Sequence, residues 1–141
     1  MTLLVRQRTL HDCAICCMAM VSGKAYELVL EIVGDAFEPD KGMRQDQEAL
    51  KRLGYRHDFE KGHPVGDISC THRGFWISAE FYRSMAWGRR ALMTVPSLNF
   101  PDGHHMIYWD GRRVLDPSTL KTYSRWDELL PSEMVLFQER W

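Results

Sequence analysis

The sequence predicts an α+β domain, with N-terminal helices around one buried central helix packed on a C-terminal antiparallel sheet. Three observations predict it. The first half carries apolar residues at helical spacing, while the second half breaks into short apolar runs of strand length. Two of those runs flank Asp110-Gly111, a strong hairpin signal. The chain has 141 residues, 45% hydrophobic and 26% charged, which is the balance of a globular domain with one core, spanning 1–141.

Taken in order, Met1 to Leu10 mixes Leu3, Leu4 and Val5 with Arg6 and Arg8. It lacks a secretory apolar core and a small-residue cleavage site, so a cytoplasmic location is expected. Asp12 or Thr9 can cap a helix beginning at about Cys13, and Thr9-x-x-Asp12 resembles a capping box. Ala14 to Val21 is apolar on every side, the pattern of a buried central helix. Its eight residues are too few to cross a bilayer. Gly23 sits where this helix should stop.

Ala25 to Phe37 places Leu28, Val29, Ile32, Val33 and Ala36 at helical spacing, predicting a second, amphipathic helix. Glu38 to Gly42 reads as a loop. A third helix is expected from about Arg44 to Leu53, with Met43, Leu50 and Leu53 inward and Gly54 ending it. His57 to Arg73 is turn-rich and receives no element. Ser78 can cap a short helix carrying Phe81, Tyr82 and Met85 and closed by Gly88.

Strand period begins at Arg90 to Pro96, and a loop to Gly103 follows. His105 to Trp109 and Arg112 to Asp116 form the predicted hairpin. Trp126 to Leu130 suits a single helical turn, and Met134 to Gln138 a last strand.

Charge excludes several functions. Lys and Arg total 18 against 19 Asp and Glu, for a net charge of −1. That predicts neither a nucleic-acid partner nor a membrane partner. The aromatic set Phe75, Trp76, Phe81, Tyr82 and Trp87 has no basic groove beside it, so it reads as core and cleft wall. Of four cysteines, three crowd between Cys13 and Cys17, which is no disulfide framework. Cys16, Cys17 and Cys70 read as small buried hydrophobes in a reducing compartment. Cys13-x-x-Cys16-Cys17, Cys70-x-His72 and His104-His105 also offer metal-ligand chemistry. Zinc ligands normally sit in knuckles, and these cysteines fall on a buried helix, so neither metal nor cofactor is expected.

The hairpin supplies a geometry. With Asp110-Gly111 as a two-residue loop, Trp109 faces Arg112, Ile107 faces Val114 and His105 faces Asp116. Opposite residues share a face, with Cβ atoms roughly 5 Å apart. A His beside a carboxylate is the base-and-orienter half of a nucleophilic site. It is equally the arrangement of a cross-strand pair on a solvated face. A slip of one residue exchanges His105 for His104.

Cys13 is the matching nucleophile. At the first turn of a helix, unpaired N–H groups and the dipole end favour thiolate over thiol. Cys16 and Cys17 lie deeper and lack that advantage. Gln7, six residues upstream, can donate its amide to an oxyanion together with the Cys13 N–H.

Gln7-x4-Asp12-Cys13-Ala-Ile-Cys-Cys-Met-Ala-Met resembles the Gln…Asp-Cys-Gly-x-Ala-Cys-Leu-Ala-Met opening of the bacteriocin-processing leader peptidases. These are a compact branch of the papain-like cysteine peptidases. Gly103-His104-His105-Met-Ile-Tyr-Trp-Asp-Gly and Leu115-Asp116-Pro117 resemble their His-plus-strand segment ending in Asp-Pro. The helix ending Leu50-x-x-Leu53-Gly54-Tyr55 is also similar, so the resemblance runs from about Arg6 to Pro117.

The resemblance implies a compact papain-like fold and a thiol hydrolase acting on a peptide or protein substrate. It makes Gln7 the oxyanion donor, Cys13 the nucleophile, His105 the base and Asp116 its orienting residue; aligning on Gly103 instead selects His104. Ala14 stands where the family has Gly, and the transporter segments of the best-known members are absent here. The leader-peptide substrate is therefore not carried over. Deamidation and transglutamination pass through the same thioester, and a papain fold without turnover would serve as a binding protein.

Overall fold

The computed structural model describes residues 4–9, 11–39, 42–43, 45–57, 63–64, 70–72, 75–77, 84, 87–96, 104–118, 122–126, 129 and 133–139. Helix α1 (Cys13–Ser22) forms on the all-apolar run, and Ala14 through Val21 are buried. Gly23 ends it in the left-handed conformation at φ 69°, donating its N–H to the Ala19 carbonyl at 2.8 Å.

The expected cap is not made. Asp12 holds the N-cap position, but its side chain makes no cap bond to the helix. It turns back to accept the Arg8 N–H at 2.9 Å, the Thr9 N–H at 3.1 Å and the Tyr26 hydroxyl at 2.6 Å. Three donors outside the helix thus outcompete its first amides. Thr9 Oγ1 accepts the nearby His11 N–H at 3.3 Å, a local turn in place of a capping box.

Helix α2 (Tyr26–Val33) is shorter than its periodicity suggested. A 3₁₀ turn over Gly34–Ala36 tightens its end before strand β1 (Phe37–Glu38). Its inward stripe is Tyr26, Val29, Val33 and Ala36. Leu28 falls on the other side of that stripe and is 43% exposed, against expectation. β1 pairs with β2 (Gly42–Met43), so both ends of the expected loop, Glu38 and Gly42, are strand residues. Helix α3 (Asp46–Arg52) buries Ala49, Leu50 and the following Leu53.

The remaining strands are β3 (Tyr55–His57), β4 (His63–Pro64), β5 (Cys70–His72), β6 (Phe75–Ile77), β7 (Ala91–Pro96), β8 (His104–Trp109), β9 (Val114–Leu115), β10 (Thr122–Tyr123) and β11 (Glu133–Glu139). Among the described residues the main sheet has seven strands in the order β10-β9-β8-β7-β11-β3, with β4 also on β11. Every neighbouring pair in it is antiparallel. β5 and β6 pair separately. Both strands of that hairpin and β3, β4 and β10 are too short to leave a periodicity in the sequence. In the region of the expected Ser78 helix, Ser84 is helical, and Ser78, Phe81, Tyr82 and Met85 lie outside the described residues.

α1 packs on the sheet face carrying Leu92, Tyr108, Leu115 and Phe137. The other face, with Met93, Ile107, Trp109 and Leu136, is closed by Trp126. The domain is therefore α+β, with helices first and an antiparallel sheet after. Among the described residues no single helix is long and apolar enough to cross a membrane.

The β8–β9 hairpin forms, but its register differs from the expected one. Tyr108 faces Leu115 and Trp109 faces Val114, so the partner of Trp109 is two residues further on than Arg112. The turn centres on Gly111-Arg112, closed by the Asp110 N–H on the Arg113 carbonyl at 3.1 Å. Gly111 at φ 102° occupies the first central position, where a type II′ turn takes glycine. Asp110 Oδ1 meanwhile accepts the Arg112 and Arg113 N–H groups, both at 2.9 Å. A shift of two residues preserves which face each side chain occupies; a shift of one would have inverted it. His105 and Asp116 therefore stay on one side, as diagonal neighbours.

A Cβ on Gly111 would meet the Gly88 backbone at 3.3 Å and sit at an unfavourable positive φ. Gly111→Ala is accordingly expected to cost about 1–2 kcal/mol, read as a lower denaturant midpoint at unchanged slope.

Candidate active site

Cys13 is the first residue of α1 and is partly exposed, unlike the buried Cys16 and Cys17. Its Sγ lies against the hydrogen-bonding edge of β8, accepting the Met106 N–H at 3.4 Å. β9 is only two residues long and pairs with Tyr108 and Trp109. The β8 edge beside Met106 is thus open to the helix. One turn deeper, the Cys17 thiol donates to the Met106 carbonyl at 3.4 Å. The backbone N–H and carbonyl of one β8 residue, Met106, are thus each engaged by a sulfur of α1.

His105 stands next in the strand. Its Nε2 is 2.8 Å from Asp116 Oδ1, with both side chains 12% exposed. With Nε2 committed to the carboxylate, Nδ1 is the nitrogen left for Cys13, which lies near enough to help raise the ring. His104 is exposed at the start of β8, opposite Pro96. The shift by two residues keeps His105, and not His104, on the side of Asp116.

Asp116 is buried and fixed by its own turn. Its Oδ1 accepts the Ser118 N–H and the Ser118 hydroxyl, both at 2.9 Å. An Asp bonding the amide two residues on is an Asx turn, and Asp-Pro-Ser is a sequence that favours it. Burial opposes the Asp116 charge, but the bonds from His105 and Ser118 outweigh it and hold the carboxyl below its ordinary range. Burial likewise opposes the imidazolium. Hydrogen bonds to Asp116 and Cys13, and the charges of both, prevail and raise His105 to about 9.

The buried thiols go the other way. Burial, then the Asp12 charge, pushes Cys16 up to about 12. Burial, then the neighbouring Cys13, raises Cys17 well above the usual thiol range. Both remain thiols at neutral pH, as the sequence led one to expect of small buried hydrophobes.

Gln7 joins the site through the backbone. Its N–H donates to the Pro117 carbonyl at 3.0 Å, next to Asp116. The two amides that follow it, of Arg8 and Thr9, bond Asp12, next to Cys13. Its side-chain Oε1 is buried with no hydrogen-bond partner. No side-chain hydrogen bond joins Gln7 to Cys13, His105 or Asp116 in this state among the described contacts.

Sequence reading missed three contributors: Ser118, Met106 and the true partners of Asp12. Ser118 had a signal, in the spacing Asp116-Pro117-Ser118. The Met106 peptide had none, because any residue supplies the same backbone group. Among the described residues, no group of three or more His, Cys, Asp or Glu is arranged to hold a metal ion. A thiol, an imidazole and a carboxylate in this order can form a nucleophile and move one proton. No protein-family model and no curated protein matches the chain.

The raised His105 has a definite consequence. A group whose folded value lies above its unfolded one stabilises the fold fully below pH 6.5, and that contribution is lost as pH rises through about 9. An NMR titration of the His105 ring should therefore show a midpoint near 9, falling in Asp116→Asn, where burial is less opposed.

Proposed function

We propose that the protein is a thiol hydrolase of amide or peptide bonds, acting through a thioester on Cys13. The observation that carries this reading is that the Cys13 sulfur sits on the Met106 N–H, beside His105 and its Asp116 partner, at the open end of a buried helix. A solvated cross-strand pair would leave His105 and Asp116 exposed, and both are largely shielded. The compact papain-like frame suggested by the leader-peptidase resemblance fits a central helix on an antiparallel sheet, and the substrate it implies is a peptide or protein.

In the proposed cycle, the His105 imidazolium holds the Cys13 thiolate as an ion pair, and the thiolate attacks the substrate carbonyl. The Met106 N–H donates to that sulfur and fixes its place. Charge collects on the carbonyl oxygen, which the Cys13 N–H and the Gln7 amide stabilise; one such donor contributes roughly 3 kcal/mol. The imidazolium then protonates the leaving amine, leaving an acyl–Cys13 thioester. Water, deprotonated by His105, releases the acid and restores the thiol. Asp116 holds the ring with Nδ1 toward the sulfur throughout.

Iodoacetamide labelling with peptide mapping tests the site. Cys13 should react first, with Cys16 and Cys17 inert; first reaction elsewhere would remove the nucleophile. Against a peptide library followed by mass spectrometry, cleaved products are expected. A 1-Da gain at Gln or an isopeptide crosslink would instead assign deamidation or acyl transfer to the same residues. Cys13→Ala should abolish turnover. His105→Ala should lower it by roughly 10²–10⁴-fold, and His104→Ala by less than about twofold. The alkaline limb of kcat/KM should fall near pH 9, where His105 loses the proton destined for the leaving group.

A further inference from the structure

The N-terminal segment before α1 is held by a network that the catalytic cycle does not itself use. Asp12 is fully buried. One carboxylate oxygen takes the Arg8 N–H and the Tyr26 hydroxyl, and the other takes the Thr9 N–H. The Tyr26 ring is covered by the Arg8 guanidinium at 4.0 Å, and that guanidinium bonds Glu27 at 2.7 Å. A buried carboxylate needs such donors, because an unpaired one would be costly. What the donors share is position: two of them are the backbone amides directly after Gln7.

We propose that Asp12 is a positioning residue for acyl transfer, setting the Gln7 amide for the oxyanion while leaving the first amides of α1 uncapped. The inference rests on the proposed thiol acyl-transfer chemistry. The residue type and its direction both matter. A carboxylate in the N-cap position ordinarily turns onto the second or third helix amide, next to the Cys13 N–H, where its charge would oppose an oxyanion. Here the Arg8, Thr9 and Tyr26 donors draw it away. The same bonds anchor the backbone on one side of Gln7, while the Pro117 carbonyl anchors it on the other. Gln7 is thereby tied both to the residue after Asp116 and to the residue before Cys13. Its Oε1 is buried without a donor, an arrangement that costs stability.

Two reagents separate the oxyanion from the nucleophile. Acylation by p-nitrophenyl acetate passes through a tetrahedral oxyanion: the Cys13 thiolate adds to the carbonyl and expels p-nitrophenolate, and water later releases acetate. Alkylation by iodoacetamide displaces iodide at a saturated carbon and forms no oxyanion. Gln7→Ala should slow acylation on the order of 10²-fold, and Asp12→Asn by roughly tenfold or more through the same donor. Both should leave alkylation of Cys13 within about twofold of the unmutated protein. The double variant should be no slower than the slower single one, since both remove one function.

If Asp12→Asn leaves acylation unchanged while Gln7→Ala slows it, the inference fails and the hydrolase reading stands. The inference fails equally if Asp12→Asn slows both reactions alike, or multiplies with Gln7→Ala, because Asp12 is then only structural. If the unmutated protein is not acylated at Cys13, the hydrolase reading itself falls and takes the inference with it. Should Asp12→Asn not fold, Tyr26→Phe, which removes a single donor, decides by the same ratio of rates: a selective loss of acylation supports the inference, and an unchanged ratio overturns it.

Discussion

The structure depends on covering α1. A helix with apolar side chains all round has no face to give to water, so other elements must wrap it. α2 and α3 close one part of its surface, and the sheet closes another through Leu92, Tyr108, Leu115 and Phe137. The helix can meet solvent only at its ends. Cys13 stands at one of those ends and alone among the three cysteines of the helix is partly exposed. Burial thus sorts three chemically identical thiols into one accessible group and two held as thiols.

Packing the helix on the sheet also sets what surrounds that thiol. β9 is short, and α1 lies against the part of the β8 edge beyond it, so the Met106 N–H and carbonyl face sulfur instead of another strand. The next residue along, His105, is turned by Asp116 to present its other nitrogen. Asp116 in turn is fixed by Ser118 within two residues. Each contact is local or follows from one strand pairing, yet the assembled order joins residues 13, 105 and 116. The proposed chemistry uses that order, and the Asp12 network extends it backwards to Gln7.

Much of the candidate site was legible in the sequence because its members sit beside strong local signals. Cys13 opens an all-apolar run that ends at a glycine. His105 and Asp116 flank a turn, and face alternation brings them to one side in either of two registers that differ by two residues. The turn itself was misjudged: Asp110-Gly111 suggested one pair of central residues, and Gly111-Arg112 takes the role. Asp110 uses its carboxylate on the amides of the turn, a side-chain choice that residue type alone does not decide. The Asp12 cap was misjudged for a similar reason. Its competing donors include Tyr26, a residue of the next helix.

The sequence by itself determined the α+β division, the buried central helix and the end of that helix at Gly23. These follow from apolar period, turn residues and alternation, which act within a few residues. Only the tertiary structure decided the sheet order, with the last strand β11 lying between β7 and β3. It also decided that His105, and not His104, meets Asp116, that the Met106 N–H and carbonyl meet two sulfurs, and that Asp12 turns away from its helix. Those are outcomes of competition between partners distant in the chain, and the stronger partner is known only when the fold has brought both within reach.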